Sequence, residues 1–291
     1  MEPNKQKIAN ISIKNSWIVA LMLVCLSCNK EDVPAPDNPQ GYNMLLMGHS
    51  YFKPYANRIR ELAIDTGFIN HNQTYVFSSG ASGFPISLWN DTGAKNQRIK
   101  ETLDAGNVDV FGMVADSREL NESFEGTRNW IAYALQNNPE VIIFLSISSP
   151  NQPDGWEQTA QQSGFATVQE AFAAHTYQDV HIALIDSLRA EFPSTNIFSI
   201  PTGKASIALW QLYKDNLLLD NIEYIGPFET SLFTDTNGHQ GEITASTGAL
   251  MWLKGIYKVD LTTNDYDTGF TTDLHKVAQD AMNSHDSDYN Q

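Results

Sequence analysis

The chain has 291 residues, a formal charge of −16 and only two cysteines. That acidity excludes a nucleic-acid binder, because no basic patch is present to neutralise phosphates, and it suits an extracytoplasmic protein surface. Both cysteines, Cys25 and Cys28, lie ahead of the folded body, so no disulfide framework holds the rest together.

Residues 1–27 have the layout of a secretory signal peptide: Lys5, Lys7 and Lys14 precede an apolar run at 17–26 that is too short to span a bilayer comfortably. The run ends in Leu26-Ser27-Cys28, which resembles a bacterial lipobox. The resemblance implies cleavage before Cys28, lipidation of that cysteine and a membrane anchor; the alternative is an ordinary signal in which both cysteines are incidental. Asn29-Lys30-Glu31-Asp32 is similar to the lysine-plus-acid signal that sends lipoproteins to the cell surface in Bacteroidetes-type bacteria, implying an outer-membrane, surface-exposed destination. Residues 28–41 then form the acylated cysteine and a flexible tether, with Pro34, Pro36 and Pro39 keeping it out of sheet or helix. The remainder of the chain is long enough for one sizeable core and contains no second linker. We read 42–260 as one catalytic-size domain and 261–291 as a polar C-terminal extension with a peripheral helix around 273–282.

Within the body, short apolar runs bounded by turn residues occur at 44–47, 74–77, 108–114, 141–147 and 196–200. Their composition suits strands buried on both faces. Between them, 54–66, 95–105, 127–138 and 167–191 read as helices, stopped by Gly67, Gly106, Pro139 and Pro193. Two more helices are expected at 205–219 and 242–257. Strand and helix alternate, so the pattern predicts an α/β fold with a mostly parallel five-stranded sheet and helices on both faces.

Chemistry-bearing residues gather at two places. Met44-Leu45-Leu46-Met47-Gly48-His49-Ser50 reads as a buried strand that breaks at a glycine and presents a serine at the sheet edge where open α/β folds bind ligands. Asp235-Thr236-Asn237-Gly238-His239 puts a carboxylate and an imidazole on one loop before the last long helix. A serine hydroxyl needs a neighbouring base, and that base needs an orienting acid; Ser50, His239 and Asp235 supply the three roles. His49 reads as a packing or hydrogen-bonding residue. No His-Glu-x-x-His and no close Cys/His spacing points to a metal, and neither a P-loop nor a dinucleotide glycine motif comes after the first strand. Neither metal nor organic cofactor is implied.

These motifs resemble the SGNH, or GDSL-like, hydrolase superfamily, esterases built on a three-layer α/β/α sandwich of flavodoxin-like kind. Its first block, Gly-Asp-Ser, matches Gly48-His49-Ser50 with histidine for aspartate, which implies that Ser50 is the nucleophile. The second block resembles Tyr75-Val76-Phe77-Ser78-Ser79-Gly80-Ala81-Ser82-Gly83, which implies an oxyanion-hole amide from Gly83, with Gly80 as the other reading, beside the amide of Ser50. The third block, Gly-x-Asn-Asp, carries an asparagine donor; here Gly112-Met113-Val114-Ala115-Asp116 has alanine at that place, leaving Asn121, Asn151 or no residue to substitute. The fourth, Asp-x-x-His, is one residue longer here, and Gly238 can absorb the extra length in a turn. The resemblance implies a lipid-anchored serine esterase acting on an acylated glycan or other small ester. The competing reading is a glycan-binding surface lipoprotein that keeps the fold but has lost efficient catalysis. Trp89 and Trp156 are candidates for stacking on sugar rings, or for covering the rim of the core. His175 and His181, six apart in one expected helix, read as solvated or partly buried.

Overall fold

The structure, a computed structural model, describes residues 40–115 and 124–291. The signal peptide, Cys28 and its tether up to residue 39, and the segment holding Asp116 and Asn121, lie outside the described residues.

All five apolar runs form strands: β1 (Asn43–Gly48), β2 (Asn72–Phe77), β3 (Val110–Val114), β4 (Ile142–Ser146) and β5 (Ile197–Ile200). They pair in the order β2-β1-β3-β4-β5, every neighbour parallel. Met44 to Met47 of β1 are each at most 1% exposed, as expected of a strand covered on both faces. Parallel strands need crossovers, and the helices supply them. In chain order the helices are α1 (Lys53–Asp65), α2 (Pro85–Asn90), α3 (Ala94–Asp104), α4 (Glu125–Asn137), α5 (Trp156–Gln162), α6 (Val168–His175) and α7 (Asp186–Glu191), which lie between strands of the sheet, and α8 (Gly203–Lys214), α9 (Glu242–Tyr257) and α10 (Leu274–Asn283), which follow β5. A right-handed crossover that moves outward from β1 to β2 and then back past β1 to β3 puts α1 and α3 on opposite faces. Accordingly α1, α8 and α10 pack with α9, while α2, α3 and α4 pack together, which makes a three-layer α/β/α sandwich.

The centre of one interface is aromatic: Phe52, Phe144 and Trp252 meet edge to face or stacked, with centroids 4.7 to 6.3 Å apart. The Trp252 indole donates to Thr202 Oγ1 at 2.9 Å, and that hydroxyl meets Ser146 Oγ at 2.8 Å. Each buried polar atom on this path therefore has a partner.

Several stretches differ from the sequence expectation. Residues 168–191 are helical throughout, but 176–185 wind as a π-helix between α6 and α7. The helix expected to reach residue 219 stops at Lys214, where Asn216 takes a left-handed φ of 56°. Two three-residue strands, β6 (Glu223–Ile225) and β7 (Ser231–Phe233), pair in a small sheet of their own. Residues 261–291, polar in composition, form α10 and pack on α9 and α8, burying Leu261, Leu274, Ala278 and Met282.

Candidate active site

Ser50 stands just beyond the carboxyl end of β1. The strand order reverses direction there, since β1 is flanked by β2 on one side and β3 on the other, and such a switch point opens a crevice. The turn that presents the serine is held by His49. Its carbonyl accepts from the amides of Phe52 and Lys53, both at 3.0 Å, and its ring Nδ1 accepts from the Tyr51 amide at 3.1 Å. A side-chain acceptor reaching the amide two residues on is what an aspartate provides in an Asx turn, so histidine performs that task here. The His49 ring is buried against Phe84, with centroids 4.8 Å apart.

The loop that carries Asp235 and His239 runs from β7 to α9. His239 Nε2 lies 2.7 Å from Ser50 Oγ, and His239 Nδ1 lies 2.6 Å from Asp235 Oδ2. The other oxygen of Asp235 accepts from the amides of Asn237, Gly238 and His239 at 3.0, 3.1 and 3.2 Å. One carboxylate therefore both orients the imidazole and closes the loop. The additional residue is accommodated at Gly238, whose φ is +92° and whose position leaves no room for a side chain, a Cβ there falling 2.9 Å from the Pro153 ring. Burial pushes the Asp235 carboxyl upward, but hydrogen bonds from the His239 side chain and backbone and from Asn237 outweigh it and hold the group below the usual carboxylate range. It is thus an anion wherever the loop is folded near neutral pH.

The loop is also tied from both sides at the Asn237 carbonyl, which accepts from the Tyr51 hydroxyl and from the Gln152 amide at 2.9 Å. Burial, followed by the charge on Asp235, raises the Tyr51 phenol well above its ordinary pKa and keeps it a donor. Tyr51, Gln152 and Asn237 were not singled out by the sequence. Tyr51 comes directly after Ser50, but nothing in the one-dimensional pattern shows that its hydroxyl reaches a loop 186 residues further on.

Ser50 and His239, with Asp235 behind the imidazole, open onto a cleft of about 610 Å³. Gly80 and Ala81 line it. Gly83 does not; it is buried, and a Cβ there would fall 2.7 Å from His49 Cα, so this glycine lets the second loop close on the turn at Ser50. Ala115 lines the cleft at the end of β3, where the resemblance places an asparagine, and Asn151 lines it from the loop after β4. Ser148 and Ser149 are also in its wall, and both hydroxyls are buried without a partner among the described residues. Among the described residues no lysine or arginine lines the cleft. Trp89 lies in α2, edge to face with Trp130 at 4.8 Å, and is not in the cleft wall. Trp156 is 3% exposed, with its indole bonded to the Pro150 and Asn151 carbonyls behind the wall. His175 lines the cleft, whereas His181 is buried, 3.0 Å from Ser199 Oγ. The described residues contain no group of three or more His, Cys, Asp or Glu able to hold a metal ion. They also contain no helix long and apolar enough to cross a membrane.

No protein-family model matches this chain. No curated protein matches it either. Among solved structures, the chain is similar to the periplasmic domain of a lipopolysaccharide acetyltransferase from Salmonella ser. Paratyphi A, with 12% identity and a TM-score of 0.36 over 57% of this chain and 67% of that one.

Proposed function

We propose that this chain is a serine esterase of SGNH type that removes an acyl group, such as acetyl, from a glycan. The observation that carries the reading is the unbroken path from Asp235 through His239 to Ser50, with links of 2.6 and 2.7 Å, ending in a solvent-open cleft. Ser50 Oγ attacks the ester carbonyl while His239 Nε2 takes its proton, and Asp235 keeps the ring in the tautomer that leaves Nε2 free to accept. The negative charge formed on the carbonyl oxygen is met by the amide of Ser50 and by donors of the cleft wall, the Gly80–Ala81 loop and the Asn151 side of the β4 loop. Collapse of that intermediate breaks the bond to the alcohol, which leaves with the proton held by His239. Water then attacks the acyl-serine, gives its proton to His239 and releases the acid, and the proton returns to Ser50.

A lipid anchor at Cys28 and a place on the outer surface of the outer membrane complete the proposal; protease treatment of intact cells that leaves the protein uncut would refute the surface placement. The mechanism is tested by intact-mass analysis of the full chain in detergent after treatment with a fluorophosphonate. One adduct is expected, absent from Ser50→Ala and from His239→Ala. A folded protein that takes no adduct would overturn the esterase reading in favour of glycan binding without catalysis.

A further inference from the structure

Behind the loop that carries Asn151 lies a second cavity of about 310 Å³, walled by Trp156, Phe165, Val168, Ala171 and Phe172. It shares Pro150, Asn151 and His175 with the catalytic cleft, so the two spaces meet at that wall. Its rim is polar. His175 Nδ1 lies 2.7 Å from Asp179 Oδ2, and the other ring nitrogen of His175 has no partner among the described residues. These residues stand where α6 passes into the π-helical stretch 176–185, a rare winding that is frequent at functional sites.

The cavity lies on the His239 side of Ser50, because the residues after Asn151 touch the acid–base loop: Gln152 donates to Asn237, and Pro153 abuts Gly238. In acyl transfer the departing alcohol takes its proton from the imidazole, so the alcohol half of the ester faces this side. An apolar floor with a few polar groups at the rim suits a sugar ring, whose C–H face lies on aromatic carbon while its hydroxyls pair with side chains. Among the described residues neither cavity is lined by lysine or arginine, the Asp179 carboxylate stands on the rim hydrogen-bonded to His175, and the chain carries a charge of −16. A ring bearing carboxylate or sulfate would be repelled.

We infer that this cavity binds a neutral sugar ring on the alcohol side of the scissile ester, with His175, oriented by Asp179, as the contact that sets specificity. The choice of side rests on the esterase reading of Ser50. The test titrates the full chain in detergent, carrying Ser50→Ala so that the ester persists, with acetylated xylo-, manno- and gluco-oligosaccharides and with acetylated oligosaccharides that contain uronic acids. A neutral ligand is expected to bind, at least tenfold more weakly once His175→Ala or Ala171→Trp is added, and the uronic acid forms more weakly than the neutral ones. Where Ala171→Trp impairs folding, Asp179→Asn on the rim gives the same reading. The inference is overturned if no neutral oligosaccharide binds, if both variants bind as the parent does, or if Ala171→Trp in the active protein selectively loses 4-nitrophenyl octanoate relative to acetate, which would make the cavity an acyl-chain site. Titration needs no activated serine, so a fluorophosphonate adduct without sugar binding overturns this inference alone, and sugar binding without an adduct overturns only the esterase.

Discussion

Ser50 meets His239 at 2.7 Å, and elsewhere in the molecule Ser199 meets His181 at 3.0 Å and His285 at 3.1 Å. The residue types and lengths nearly coincide, yet the surroundings are opposite. His239 is oriented by a carboxylate and opens on a cleft. Ser199 is wholly buried in β5, the His181 ring stacks 3.7 Å from Tyr289 with its Nδ1 unpartnered, and no carboxylate bonds to either ring among the described residues. Burial holds the imidazoles far down, His181 to about 4 and His285 to about 3, the latter helped by the neighbouring His181 and Lys204. A serine–histidine contact is thus chemically inert without an orienting acid and access for substrate, and it serves instead to fasten the C-terminal segment to the sheet.

The contrast can be broken at its acid. Asp235→Asn removes the charge and the acceptor that fix the His239 tautomer, leaving that imidazole as unoriented as the buried pair. Ester hydrolysis should fall by about 10⁴-fold in kcat, read as initial rates on an aryl acetate, with the fold retained. A smaller loss is expected of Tyr51→Phe, which keeps the ring but frees the Asn237 carbonyl on one side. As a positioning residue it should lower kcat about tenfold with little change in KM, and steady-state kinetics separate the two parameters; a change confined to KM would contradict the role.

The buried pair supplies the remaining test, through acid. Because the folded chain keeps both imidazoles neutral well below the ordinary histidine range, the unfolded chain binds more protons than the folded one between roughly pH 6.5 and the depressed values near 4 and 3. Stability from this cluster is complete above that window and declines as pH falls through it. Unfolding in denaturant at stepped pH should show uptake approaching about two protons, reduced to about one in His285→Asn. An unchanged slope in that variant would sink the assignment.

The sheet was legible because β1, β3 and β4 are buried on both faces and so appear as unbroken apolar runs. Helix α9 has the bounds that its sequence suggests. The π-helical stretch was not legible: its buried positions, Thr176, Val180, His181, Leu184 and Ile185, repeat at three and four residues, as an α-helix also would. Helix α2 and strands β6 and β7 are too short for any period to show. At the site, Ser50, His239 and Asp235 were found from their types and places along the chain. Tyr51, Gln152 and His175 were not, since their partners or the cavity they line are assembled only by the fold. His181, expected to be solvated or partly buried, and His285, in the polar terminal stretch, are both buried, and the packing of α10 and the chain end covers them.

The turn at Ser50 also bears on how motifs of this kind are searched for. A text pattern that demands Gly-Asp-Ser discards Gly48-His49-Ser50, although His49 Nδ1 accepts the Tyr51 amide as an aspartate oxygen would. The physical requirement is a lone pair two residues ahead of an amide, and it can be met by more than one letter of the alphabet. Recognition written in terms of acceptor and donor, with a spacing allowed to stretch wherever a glycine comes after the acid, would retrieve sequences that a fixed string leaves behind.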